Sequence, residues 1–134
     1  ETQVVLPRLK TDLVDILMAA VNGKLAEVEI EWSEEAAVCV VLSSGGYPGP
    51  YRKGDRIEGL NKVEDALVFH AGTSLDEQGQ TVTNGGRLLG VTGLGADLEA
   101  ARAKAYQAVE QIQYEGKHYR SDIAQKALAA SKLD

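Results

Sequence analysis

Apolar residues recur along this chain with two different periods, and the changes of period mark the elements. Leu13, Val14, Leu17, Met18 and Val21 fall at helical spacing. Thr11 ahead of them can cap a helix, and Asn22-Gly23 behind them can take the left-handed conformation that ends one. The spacing predicts a helix from about Thr11 to Val21. Glu27-Val28-Glu29-Ile30-Glu31-Trp32 then alternates with period two, which predicts a half-buried strand with Val28, Ile30 and Trp32 facing inward. On that reading Trp32→Ala would cost on the order of 3–5 kcal/mol. After the polar turn Ser33-Glu34-Glu35, every position from Ala36 to Leu42 is apolar, as in a strand covered on both faces. The simplest arrangement sets 27–32 as an edge strand, antiparallel to a central strand at 36–42. Upstream, Val4-Val5-Leu6 reads as a short extended piece ended by Pro7, which lacks an amide donor.

From Ser43 to Gly59 the periodicity dissolves. Gly45, Gly46, Pro48, Gly49, Pro50 and Gly54 predict a long irregular loop, a kind that is often functional in compact domains. Leu67 to Ala71 is the next strand, Asp76-Glu77-Gln78-Gly79 a turn, and Thr81-Val82-Thr83 another strand. Asn84-Gly85-Gly86 predicts a type I′ hairpin turn into a strand from Arg87 to Thr92. Asp97 opens the clearest helix, with Leu98, Ala101, Ala105, Ala108, Val109 and Ile112 on one face and Gly116 as its stop. Ser121-Asp122 can cap a short last helix carrying Ile123 and Leu128, and Ser131 to Asp134 is expected to fray. Strands clustered mid-chain between helices place the chain in the α+β class.

Composition narrows the functional choices. The 134 residues suffice for one domain with its own core plus an arm. A net charge of −6 argues against a nucleic-acid partner, which needs a basic face. Any anionic ligand must therefore meet a few local cations or backbone N–H groups. The one dense basic cluster, Arg52, Lys53 and Arg56, is interrupted by Asp55. The longest apolar run, Ala36 to Leu42, is strand-sized and far from the roughly 20 residues that span a bilayer, so no membrane role is expected. Cys39 is the single cysteine, so no internal disulfide forms. Within Val38-Cys39-Val40-Val41 it reads as a buried small hydrophobe and fits a reducing cytoplasm.

Two glycine-rich segments carry candidate chemistry. Ser43-Ser44-Gly45-Gly46-Tyr47-Pro48-Gly49-Pro50 follows an apolar strand, and its glycines let backbone N–H groups approach an anion or a flat ring. The plain alternative is a tight turn with a rigid exit. In Asn84-Gly85-Gly86-Arg87, a guanidinium beside exposed backbone N–H groups suits a phosphate, whose oxygens its planar fork matches. The plain alternative is a hairpin with a solvated arginine. His70 has the titration range of a general base, but no partner in sequence, and reads as a hydrogen-bonded histidine at a strand end. His118 reads as a surface residue. No His/Cys/Asp/Glu spacing suggests a metal site. Leu88-Leu89-Gly90-Val91 followed by Gly93-Leu94-Gly95 imitates a dinucleotide-binding turn, yet the third fingerprint position falls on Leu98 and no acidic residue ends a second strand downstream. That reading is rejected.

Four segments in order carry a resemblance over nearly the whole chain: Glu1-Thr2-Gln3, Ser44-Gly45-Gly46-Tyr47-Pro48-Gly49, Val68-Phe69-His70-Ala71-Gly72-Thr73, and Thr83-Asn84-Gly85-Gly86-Arg87-Leu88-Leu89-Gly90-Val91. They resemble phosphoribosylamine–glycine ligases, ATP-grasp enzymes of purine biosynthesis. The resemblance implies the fold of an ATP-grasp ligase C-terminal domain, with a mixed, mostly antiparallel, half-barrel-like sheet and flanking helices. It assigns 1–32 to the end of the ATP-grasp domain with a connecting helix and strand, and 33–134 to the C-terminal ligase domain. The implied parent is a cytoplasmic enzyme that joins glycine to 5-phosphoribosylamine using ATP with Mg²⁺ or Mn²⁺. Its ATP lid and metal-binding Glu and Asn are expected ahead of Glu1, so the chain alone is expected inactive, with no nucleotide or metal bound and no catalytic residue of its own. The resemblance implies that Arg87 holds the substrate phosphate, and that Asn84, Gly85, Gly86, Gly45, Gly46, Tyr47 and Glu1 help form the phosphoribosylamine and glycine site. Its partners would be those substrates and the N-terminal domains of the same enzyme. The alternatives are the C-terminal domain of another ATP-grasp enzyme, such as a carboxylase, and a non-catalytic binding module.

Overall fold

The computed structural model describes residues 1–130; the tail expected to fray lies outside the described residues. Strands β1 (Ala36–Ser43), β2 (Ala66–His70) and β5 (Arg87–Gly95) form an antiparallel sheet in the order β1-β5-β2, while β3 (Thr73–Leu75) and β4 (Thr81–Thr83) form a separate antiparallel pair. Among the described residues four α-helices accompany them: α1 (Thr2–Val5), α2 (Leu13–Val21), α3 (Leu98–Gln111) and α4 (Gln125–Ala130). The α+β class and the mostly antiparallel sheet hold as expected.

The core lies between α3 and one face of the larger sheet. The register pairs Val40 with Val91 and Leu42 with Leu89, so these side chains share a face with Val38, and all five are buried with Ala101, Ala105, Val109 and Ile112. Small residues bring helix and sheet together. Gly93 and Gly95 lie directly beneath α3, where an added Cβ would stand 2.5 Å from the Ala105 nitrogen and 2.6 Å from the Ala101 nitrogen, respectively. The glycines that imitate a nucleotide-binding turn thus serve close packing. The Asp97 carboxylate caps α3 by accepting the Ala100 N–H at 2.7 Å. The helix ends at Gln111 with Ile112 extended; Gly116, expected as its stop, belongs to the following turn.

Several expectations need correction. The apolar run at 36–42 forms an edge of the sheet, and the central strand is β5. Its second face, carrying Ala37, Cys39 and Val41, is only partly covered, by α1, so Cys39 is half-buried and Val41 is exposed. Residues 4–6 are not extended: α1 runs into a 3₁₀ turn at Leu6–Arg8, where the fixed φ of Pro7 suits a first turn. The alternating segment 27–32 is not a strand of the sheet. Its backbone folds back on residues 8–11 through Lys10 N–H to Glu31 O (3.0 Å), Ser33 N–H to Arg8 O (2.7 Å) and a lone Leu9–Trp32 bridge. With no sheet face to enter, Trp32 stays 46% exposed, so the stability cost expected for its loss does not apply.

Helix α2 starts at Leu13, capped by Asp12, whose carboxylate accepts the Val14 N–H at 2.7 Å. Thr11 bridges Glu31 N–H and Glu29 O instead. The apolar residues of α2 stand open: Val14, Leu17, Met18 and Val21 are all more than half exposed. Asp122 does not cap α4, because its carboxylate pairs with Arg120, and Ile123 precedes the helix at the margin of the core. Among the described residues no helix is long and apolar enough to cross a membrane.

Candidate functional site

The second face of the sheet opens, at the start of β5, into a cleft of about 500 Å³ lined by Gln3, Val41, Tyr47, Ala71, Gly72, Gly86, Arg87, Leu89 and Gly90. Four separated stretches of chain meet there, and a β-bulge shapes the meeting. Leu42 pairs with Leu89 and Ser43 with Arg87, which leaves Leu88 as the extra residue. The Leu88 carbonyl accepts the N–H groups of both Ala71 (2.9 Å) and Gly72 (3.2 Å), which ties the end of β2 to the bulge.

Asn84-Gly85-Gly86 does not form the expected hairpin turn. β4 pairs with β3 and not with β5, and neither Gly85 nor Gly86 has positive φ. These glycines are required by close approach. An added Cβ on Gly85 would stand 2.8 Å from the Gly72 Cα, and one on Gly86 would fall on the Tyr47 ring. The Asn84 N–H donates to Gly72 O at 2.7 Å.

Ser44, only 4% exposed, joins the two glycine-rich segments. Its N–H donates to Gly86 O and its hydroxyl to Gly85 O, both at 2.8 Å, while its own carbonyl accepts the Tyr47 N–H at 3.2 Å. Ser43 beside it is anchored by a two-way backbone bridge to His118 and by the Tyr114 hydroxyl, which donates to Ser43 O at 2.8 Å. Burial pushes the Tyr114 phenol up to about 12, against the opposing hydrogen bond from the His118 backbone.

Arg87 is exposed at the cleft with no side-chain hydrogen bond or ion pair among the described residues, and every other arginine has a partner. Arg52 and Arg56 pair with Asp55 and Glu58, Arg120 with Asp122, and Arg8 and Arg102 donate to backbone carbonyls. Both arginines of the cluster that looked most basic in sequence are therefore paired with nearby acids.

Of the residues named from sequence, Tyr47, Gly86 and Arg87 line the cleft; Gly85 backs it, and Asn84 is exposed beside it. Gly45 packs against Gly116 and lines a smaller cavity with Arg52, Asp55 and Glu115, and Gly46 (φ +92°) serves the turn. Glu1 is exposed ahead of α1 and does not line the cleft. Gln3, two residues on, does. Gly72, Leu89 and Gly90 were missed as site residues although all three stand in the segments that carry the family resemblance. His70 behaves as expected, its Nδ1 2.9 Å from Thr73 Oγ1.

The family model "Phosphoribosylglycinamide synthetase, C domain" matches residues 37–126. A phosphoribosylamine–glycine ligase of Synechocystis is 56% identical over 131 residues, covering 96% of this chain and 31% of the relative. The chloroplastic phosphoribosylamine–glycine ligase of Arabidopsis thaliana is 48% identical over 137 residues, covering 99% of this chain and 26% of the relative. The crystal structure of phosphoribosylamine–glycine ligase from Thermotoga maritima superposes with a TM-score of 0.64 at 38% identity, over 79% of this chain and 27% of that one. The chain spans less than a third of the length of these relatives. On its sequence and its fold, the chain belongs to the phosphoribosylglycinamide synthetase C-domain family.

Proposed function

We propose that this chain is the C-terminal part of an ATP-dependent ligase that joins glycine to 5-phosphoribosylamine in purine biosynthesis, and that the cleft at Gln3, Tyr47, Gly86 and Arg87 forms part of the site for those substrates. The observation that carries the reading is the unpartnered guanidinium of Arg87 at a cleft in an otherwise acidic chain. Phosphoribosylamine brings a phosphate, and a planar fork pairs with two of its oxygens at once. Gln3 adds an amide able to donate and accept, and Tyr47 a hydroxyl and an aromatic face. The names of the relatives supply the two substrates.

In that reaction ATP activates the glycine carboxyl group, so the residues of this cleft need only bind and orient the amine. Among the described residues no three His, Cys, Asp or Glu side chains gather where they could hold a metal ion. Residues 1–32 belong, in this reading, to the end of the ATP-grasp domain. The start of the family match at residue 37 and the open apolar residues of α2 support this, since the rest of the ligase would cover them. We place the ligase in the cytoplasm; the Arabidopsis relative is named chloroplastic.

Arg87→Ala in the intact ligase tests the reading. Loss of a charge-assisted contact at a partly solvated position should raise KM for phosphoribosylamine roughly ten- to hundredfold and leave KM for ATP nearly unchanged. Arg87→Lys should recover part of the loss, because a point charge cannot reproduce the fork. Equal losses toward both substrates would assign Arg87 a structural role and refute the proposal.

A further inference from the structure

The peptide unit is planar and trans, so fixing a carbonyl oxygen also fixes the direction of the N–H that follows it. Ser44 fixes two successive carbonyls from one buried position, taking Gly85 O with its hydroxyl and Gly86 O with its N–H. The N–H groups carried by those two peptide units belong to Gly86 and Arg87. Both are thereby directed away from Ser44, and the Gly86 N–H has no partner among the described residues. The same serine accepts the N–H of Tyr47, whose ring lies over Gly86. One side chain and its backbone thus set the orientation of three residues that line the cleft.

We infer that Ser44 is the positioning residue of the anion site: it holds the Gly86 amide and the start of β5 so that the guanidinium of Arg87 meets the phosphate of the bound sugar. This rests on the reading of the cleft given under Proposed function and extends it to a residue that touches no substrate. The hydroxyl of Ser44 is the separable part. Ser44→Ala keeps the backbone bond to Gly86 but leaves the Gly85 carbonyl without its donor, so the Gly85–Gly86 peptide is free to rotate. A backbone left loose ahead of an arginine loses affinity through misplacement, even though the charge is intact.

The test is a double-mutant cycle on Ser44→Ala and Arg87→Ala in the intact ligase, with unfolding midpoints measured for each variant. Ser44→Ala alone should raise KM for phosphoribosylamine roughly tenfold, with KM for ATP unchanged within about twofold. In the Arg87→Ala background the same substitution should raise it by less than about twofold, because the group it positions is gone. Ser44→Thr, which keeps the hydroxyl, should restore most of the affinity. Additive effects in the cycle, or equal losses toward ATP and phosphoribosylamine, would reduce Ser44 to a stabilising residue and overturn the inference alone. No effect of Arg87→Ala on phosphoribosylamine would instead overturn the reading of the cleft, and the inference with it.

Discussion

Gly93→Ala measures how closely α3 lies on the sheet. In most strands this substitution would help, because alanine has less conformational freedom to lose, a gain of about 0.4–1 kcal/mol where the backbone conformation suits it. Gly93 does not occupy the left-handed region, so no backbone strain opposes the change. What opposes it is the helix. The new methyl would fall on the Ala101 carbonyl oxygen and 2.5 Å from the Ala105 nitrogen, and neither is a side chain that can turn away. Relief requires α3 to lift from β5, which loosens the packing of Ala105 and Val109 on Val40 and Val91. Overpacking of this kind costs about 1–3 kcal/mol, and a rigid backbone obstacle belongs at the upper end, so the net loss should be about 2 kcal/mol. Gly79→Ala is the control. At φ +74° with nothing within 4 Å of the added methyl, it carries conformational strain without a clash and should cost about 1 kcal/mol. Urea unfolding followed by far-ultraviolet circular dichroism reads both as midpoint shifts at constant slope. A Gly93→Ala variant as stable as the parent would show that α3 does not lie against β5 as described.

Leu42→Ala removes a fully buried side chain between β1 and α3 and should cost about 2–5 kcal/mol, whereas Trp32→Ala, at a half-exposed position outside the sheet, should cost less than about 1 kcal/mol; urea midpoints for the pair would be refuted by the reverse order. Tyr114 is raised from 10.0 to about 12 in the folded state, so its neutral form favours the fold; that contribution is complete below the unfolded value and is lost as pH rises from about 10 towards 12. Tyrosinate absorbance should show a late-titrating component that is lost in Tyr114→Phe, and a titration unchanged by that substitution would exclude the buried phenol.

Local pattern alone determined much of this protein. The spacing of Leu98 to Ile112 and the cap at Asp97 specify α3, because a helix face and its first-turn donors are satisfied by neighbours in sequence. The apolar run at 36–42 and the hydrophobic start of β5 specify strands for a similar reason. The residues Tyr47, Gly86 and Arg87 were legible as site candidates through motif resemblance. Tertiary structure decided the rest. Alternation from Val28 to Trp32 describes an extended chain, but whether a sheet face awaits it depends on a long-range choice, and here β1 pairs with β5 instead. The same choice moved the run at 36–42 to an edge and broke the expected hairpin at Asn84-Gly85-Gly86, whose glycines answer to Gly72 and Tyr47 and not to a turn type. It also separated Gly45 and Glu1 from the cleft and brought Gln3 in through α1. Arginines that look alike in sequence differ only once their partners are in place: Arg52 and Arg56 are matched by acids three and two residues away, and Arg87 is left unpaired beside the cleft. Strand pairing joins residues far apart in the chain, and no local period encodes which of the possible partners will be met.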